Sequence, residues 1–105
     1  MTDTIFQQII NKQAPANIRY EDEYCIAFDD INPKASIHIL IVPKKPIKML
    51  AECHSEDQHL LGHCLLVANT IAERLNRLDN YRLMINNGAK AGQEVFHLHV
   101  HFLSN

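Results

Sequence analysis

Three histidines alternate with apolar residues near the C-terminus, in Phe96-His97-Leu98-His99-Val100-His101-Phe102-Leu103, and this pattern limits the folds open to the chain more than any other. Successive side chains of a strand point to opposite faces, so the imidazoles share one face about 7 Å apart per step while Leu98, Val100 and Phe102 share the other. A strand of this kind needs a sheet covered on one face, with the second face left for polar chemistry. Three titratable rings make a poor hydrophobic core, so the histidine face reads as a site.

The rest of the chain supplies such a sheet. Ile18 to Tyr20 and Tyr24 to Phe28 read as the arms of a hairpin. Ser36 to Val42 places Ile37, Ile39 and Ile41 on one face and His38, Leu40 and Val42 on the other, with Pro43 closing the run. Tyr81 to Ile85 and Val95 to Leu103 complete five strands, with a glycine-bearing loop from Asn86 to Gly92 between them. Two helices are predicted. A short one has Phe6, Ile9 and Ile10 at helical spacing, is capped by Thr2 or Asp3 and ends near Ala14-Pro15. A long one follows a Ser55/Gln58 capping box and runs to about Leu78. Its apolar stripe is Leu61, Cys64, Leu65, Ala68, Ala72 and Leu75, and Leu66 and Val67 fall outside it as a second contact surface that suggests a dimer. Strands grouped around hairpins favour an antiparallel α+β fold: a five-stranded sheet with two main helices.

The 105 residues, 47% hydrophobic and 21% charged, suit a single globular domain over 1–105. A net charge of −2 gives no broad positive field for nucleic acid but leaves room for a small anionic ligand. No apolar run approaches a membrane span, and Met1 to Thr4 lacks the basic start of a signal peptide, so the protein is expected to be soluble and cytoplasmic, with no membrane partner. Cys25, Cys53 and Cys64 are an odd number without regular spacing and read as reduced, structural thiols. His59 and His63 have the i, i+4 spacing of a helical metal pair, but they lie opposite the apolar stripe and read as a solvated or dimer-facing side. Lys44-Lys45 reads as a solvated pair.

Spacing alone leaves two chemistries for the triad. Two strand histidines, His97 and His99, with His38 as third ligand, could hold zinc with a water in the fourth position. All three triad rings together span about 13 to 14 Å, too far to converge on one ion. Alternatively, an imidazole of pKa near 6.5 is largely unprotonated at neutral pH and can attack phosphorus, splitting one displacement into two through a phosphoramidate. The flanking rings would then position and neutralise the oxygens, without need of a metal.

The triad resembles the His-φ-His-φ-His-φ-φ signature of the histidine-triad superfamily. Phe28-Asp-Asp-Ile-Asn-Pro-Lys-Ala-Ser-Ile-His38 with Ile39 to Lys45, and Asn86-Asn-Gly-Ala-Lys-Ala-Gly-Gln93, are similar to the nucleotide-binding half and pre-triad loop of its Hint branch. The resemblance covers Phe6 to Leu103. It implies that His99 is the nucleophile that becomes nucleotidylated, flanked by His97 and His101, with His38 completing the site. It further implies that Asp30 holds the ribose hydroxyls, that Ile31, Phe28 and Ile26 line the base pocket, and that Asn86, Gly92, Gln93, Glu94 and Val95 lie along the phosphate and sugar.

The implied activity is hydrolysis of purine nucleoside phosphoramidates, such as adenosine 5′-monophosphoramidate, or of acyl-adenylates, with AMP or GMP as the nucleotide. The implied assembly is a homodimer whose two sheets join into ten strands. No cofactor is required for that chemistry; zinc could bind these donors but is not expected to take part in catalysis. The alternatives are a diadenosine-polyphosphate hydrolase of the Fhit type, a zinc hydrolase using His38, His97 and His99, and a nucleotide-binding regulatory module with little catalysis. Glu94 stands where the family has a serine, and a carboxylate there should repel phosphate unless protonated. The sequence given stops at Asn105, directly after the triad, where family members often continue, so looser leaving-group selectivity is expected.

Overall fold

A computed structural model describes residues 3–105. Its elements are α1 (Ile5–Ile10), β1 (Ile18–Glu21), β2 (Cys25–Asp29), β3 (Ile37–Pro43), α2 (Gln58–Arg74), β4 (Arg82–Met84) and β5 (Val100–Ser104), with single 3₁₀ turns at Leu50–Glu52, Ser55–Asp57 and Ala89–Ala91. The strands form one antiparallel sheet in the order β1-β2-β3-β5-β4. The antiparallel α+β architecture is the one expected. Of its two helices only α2, with 17 residues, is a main element, because α1 has six.

Each helix stops where its own backbone dictates. Thr4 caps α1, its Oγ1 accepting the Gln7 N–H at 3.1 Å, in place of Asp3; the other expected cap, Thr2, lies outside the described residues. Lys12 then takes a left-handed conformation (φ +61°) and Gln13 N–H reaches back to Gln8 O at 2.8 Å. The same closure ends α2 four residues short of Leu78. Asn76 has φ +59°, Arg77 N–H donates to Ala72 O at 2.7 Å and Asn76 N–H to Glu73 O at 3.2 Å, a Schellman closure for which asparagine is the best residue after glycine. At the start of α2 the predicted box is displaced: Asp57 accepts the His54 N–H at 2.9 Å.

The buried stripe of α2 is Cys64, Val67, Ala68, Ile71 and Ala72, which corrects the expected phase. Val67 belongs to the core, whereas Leu65 is 44% exposed and Leu66 66%. Branched Val67 and Ile71 press on Ile39, Ile41 and Phe102, while Ala68 and Ala72 let the helix approach the sheet closely. Cys25, Ala27 and Val100 complete this layer, and the Tyr81 ring stacks on Phe102 at 4.8 Å. The opposite face, with Ile26, Phe28, Leu40 and Val42, is covered by Phe6 and Ile9 of α1, with Ile10, Ala14, Ala16 and Val95 packed around them.

β5 is shorter than the expected Val95 to Leu103. Its ladder with β3 ends at Ile41 opposite Val100, because the next partners lead to Pro43, which has no N–H to donate. The preceding residues bend away from the ladder and are held by other bonds: Leu98 N–H donates to Ile47 O at 2.7 Å, and the His97 ring donates from Nε2 to Pro43 O at 2.7 Å.

Candidate active site

Only His101 therefore sits in a strand, yet the three rings still share one side. His97 and His99 meet the Phe6 ring edge-to-face at 6.4 and 4.9 Å, and His99 and His101 lie 4.9 Å apart. This side opens into a cavity of about 790 Å³, in the size range of small-molecule sites. His99, His101 and His38 line it, although His99 is only 7% exposed. His97 does not line it; it is buried beneath, its Nε2 committed to Pro43 O.

Hydrogen bonds assign every tautomer of the cluster. A carbonyl can only accept, so His99 Nδ1, 2.7 Å from His97 O, carries its hydrogen, and Nε2 of the neutral ring holds a lone pair. Lys34 N–H donates to His38 Nδ1 at 3.0 Å, which places the His38 hydrogen on Nε2, 2.8 Å from His101 Nδ1. His101 accepts there and keeps its own hydrogen on Nε2. The cavity wall thus presents one basic ring nitrogen, on His99, beside a ring that carries a donor, on His101. Burial holds all four histidines below their usual pKa, and for His101, with His99 and His38 beside it, down to about 4. All four rings are neutral at pH 7.

Asp30 follows β2, in a loop folded back onto β3. Its N–H donates to His38 O at 2.9 Å, Oδ1 accepts the Asn32 N–H at 2.8 Å, and Oδ2 stands 3.5 Å from His38 Nε2. Its neighbour Asp29 also lines the cavity but is bound by Arg19 at 2.8 Å and by Asn17. Oδ2 of Asp30 is the less committed carboxylate oxygen.

Of the other expected site residues, Phe28, Ile31, Asn86, Gly92, Glu94 and Val95 line the cavity, Ile31 at 91% exposure. Two do not. Ile26 is fully buried under Phe6 and Phe28, so it supports the floor of the cavity without facing it. Gln93 is turned inward: it accepts the Gly88 N–H at 2.8 Å and donates to Lys48 O and Val95 O at 2.7 and 3.0 Å. The backbone N–H groups of Gly92 and Gln93 are spent inside the loop, on Ala89 O and Gly88 O, so they offer no anion nest in this conformation. Gly92 has φ +102°, which an L side chain rarely adopts, so glycine shapes this loop through its backbone.

The zinc set His38, His97 and His99 is not assembled. Among the described residues, the groups whose donors come within metal reach are Asp30 with His38 and His101, and Asp22 with Cys25 and His63. Sequence reasoning missed Phe6 and Ile9 as an apolar wall, and Lys34 and Arg82 as cations at the cavity. The stripe of α1 was visible, but nothing local showed where it docks. Arg82 could have been found from register: it pairs with Leu103, two residues beyond His101 on the same face.

The chain matches the HIT domain family over residues 11–105. It is 54% identical to an uncharacterized HIT-like protein of Synechocystis over 101 residues, 96% of this chain and 89% of that protein. Its structure is similar to that of a HIT family hydrolase from Clostridium thermocellum, with TM-score 0.95, 42% identity, and coverage of 100% of this chain and 92% of that one. A histidine triad nucleotide-binding protein from Candida albicans is also similar, at TM-score 0.86 and 30% identity, covering 95% of this chain and 73% of that one. Among the described residues no helix is long and apolar enough to cross a membrane.

Proposed function

The chain belongs to the HIT family and shares its hydrolase-type fold, and from that premise we propose that it is a phosphoramidase of the Hint branch, cleaving purine nucleoside phosphoramidates or acyl-adenylates at the α-phosphorus. One observation carries this reading: in the tautomer set above, the unprotonated nitrogen at the cavity wall is His99 Nε2. That nitrogen attacks phosphorus as the bond to the leaving group breaks; a leaving amine takes a proton from water in the open cavity, whereas the carboxylate of an acyl-adenylate departs as the anion. Water then displaces the nucleotide from His99, releasing the monophosphate and restoring the lone pair. His101 donates from Nε2 to a nonbridging oxygen, and the His97 carbonyl holds the attacking ring in orientation. Asp30 accepts from the ribose hydroxyls, and Phe6, Phe28 and Ile31 flank the base. AMP or GMP is the product, and a cavity of this kind suits a mononucleotide.

The experiment is to mix the protein with an adenylated amine and follow it by mass spectrometry. Release of AMP, with an adenylate trapped on His99 in a rapid quench, is expected. Binding without turnover would favour a regulatory nucleotide-binding module, a reading supported by the Glu94 carboxylate at the cavity. Faster cleavage of a diadenosine polyphosphate would move the protein to the Fhit type. We further propose a homodimer, supported by exposed Leu65, Leu66 and Met84 and by the open edge of β4; sedimentation at micromolar concentration tests it.

A further inference from the structure

We propose that Asp22, Cys25 and His63 form a second site, separate from the cavity, that binds a zinc-type transition-metal ion at the seam between the β1–β2 hairpin and α2. The donors arrive from three places: Asp22 from the hairpin turn, Cys25 from the first position of β2 and His63 from α2. Asp22 Oδ2 lies 2.6 Å from His63 Nε2, and one donor atom of each residue falls within 4.8 Å of the other two. A mixed oxygen, sulfur and nitrogen set at this spacing suits tetrahedral zinc or cobalt, with bonds of about 2.0 to 2.3 Å. Asp22 and His63 need part by less than about 1 Å to admit the ion.

The surroundings hold these donors in place. Asp22 Oδ1 accepts the N–H groups of Tyr24 and Cys25 at 2.8 and 2.9 Å, and Tyr20 donates its hydroxyl to Oδ2 at 2.7 Å. Such outer contacts fix the orientation of a metal ligand. The Tyr24 ring packs against His63 at 5.3 Å. The inner wall is soft, because Cys25 and Cys64 are both buried in the α2-side core. The outer side is open, with the Asp22 and His63 side chains 24% and 26% exposed, so a hydrated ion can reach them.

Charge balances as well. One carboxylate and one thiolate neutralise a divalent ion, so nothing charged is left over in a half-buried place. On binding, Cys25 gives one proton to solvent and forms the metal–sulfur bond. The His63 hydrogen moves from Nε2 to Nδ1, freeing the lone pair that now faces Asp22. Cys25 belongs to the α2-side layer, whereas the catalytic rings lie across the sheet with Phe6, so the two sites are independent.

Titrating metal-free, reduced, full-length protein with cobalt(II) tests this. The expected result is one equivalent bound with tetrahedral visible absorption and a near-ultraviolet thiolate-to-cobalt band. Zinc should displace it and raise Tm by roughly 10 °C or more at a hundredfold excess over Kd. Cys25→Ser should lose the band; His63→Gln, at a partly exposed position where folding should survive, should lose both the band and the zinc-induced rise. Asp30→Asn should keep both. Absence of the band in the wild type, its persistence in His63→Gln, or its loss in Asp30→Asn overturns the proposal.

Discussion

The two faces of the sheet are built from the same strands and differ in what covers them. On one, Cys25, Ala27, Ile39, Ile41, Val100 and Phe102 meet a 17-residue helix and are sealed. On the other, the alternate residues His38, Leu40 and His101 meet a six-residue helix that reaches only part of the surface, and the uncovered part is the cavity. A period of two sorts side chains into two sets, but the length of the covering helix makes one set core and the other site. Imidazoles tolerate the second position because each finds a hydrogen-bond partner there, at the cost of staying neutral.

Substitutions should separate the two faces. His99→Ala is expected to lower kcat at least about 10⁴-fold with its melting temperature almost unchanged, since it removes the proposed nucleophile from the open face. Single-turnover kinetics beside a thermal melt would check this, and appreciable residual turnover breaks the assignment. Phe102→Ala, on the sealed face, should do the reverse and cost about 3 to 5 kcal/mol of stability in urea unfolding. Nucleotide affinity measured well below its midpoint should be little altered.

Acid should strike the open face first. The folded pKa values of these histidines lie below their unfolded value of about 6.5, so the unfolded chain binds more protons as pH falls. Stability should drop progressively from pH 6.5 towards about 4, the folded pKa of His101. Asp22, whose hydrogen bonds hold it well below the ordinary carboxylate range, loses its contribution only in stronger acid. Urea titrations of wild type and His101→Asn should show a shallower slope in the variant, and equal slopes would discount the histidine face as the cause. The acid limb of kcat/KM should likewise lie below 6.5, because protonation of His99 removes the lone pair proposed to attack. The smallest effect is expected of Thr4→Ala, which removes a cap from α1 and should cost about 1 kcal/mol; a lowered nucleotide affinity in this variant would show that α1 must be held in place to close the cavity.

Much of this was legible along the chain. The alternation in Ile37 to Val42 and in Val100 to Phe102 assigned each residue to a face, and those assignments hold in the sheet, while His97 and His99, ahead of the strand, still keep to the His101 side. Where strands end was less legible, because those ends depend on partners, and the end of α2 turned on the backbone conformation of a single residue. β5 starts late because its neighbour runs into Pro43, and α2 stops early at a left-handed Asn76. The phase of α2 slipped because Leu65 and Val67 are equally apolar and only docking against Phe102 and Ile39 selects between them.

The sequence by itself determined which side chains could share a face, since that follows from covalent geometry and a period of two. Tertiary structure alone decided which of those faces was closed, which nitrogen of each imidazole kept its hydrogen, and that Asp22, Cys25 and His63 should meet across 41 residues of chain. Those outcomes depend on carbonyls and donors brought together from distant segments, and no local pattern encodes the direction of a hydrogen bond to a partner that arrives only when the chain has folded.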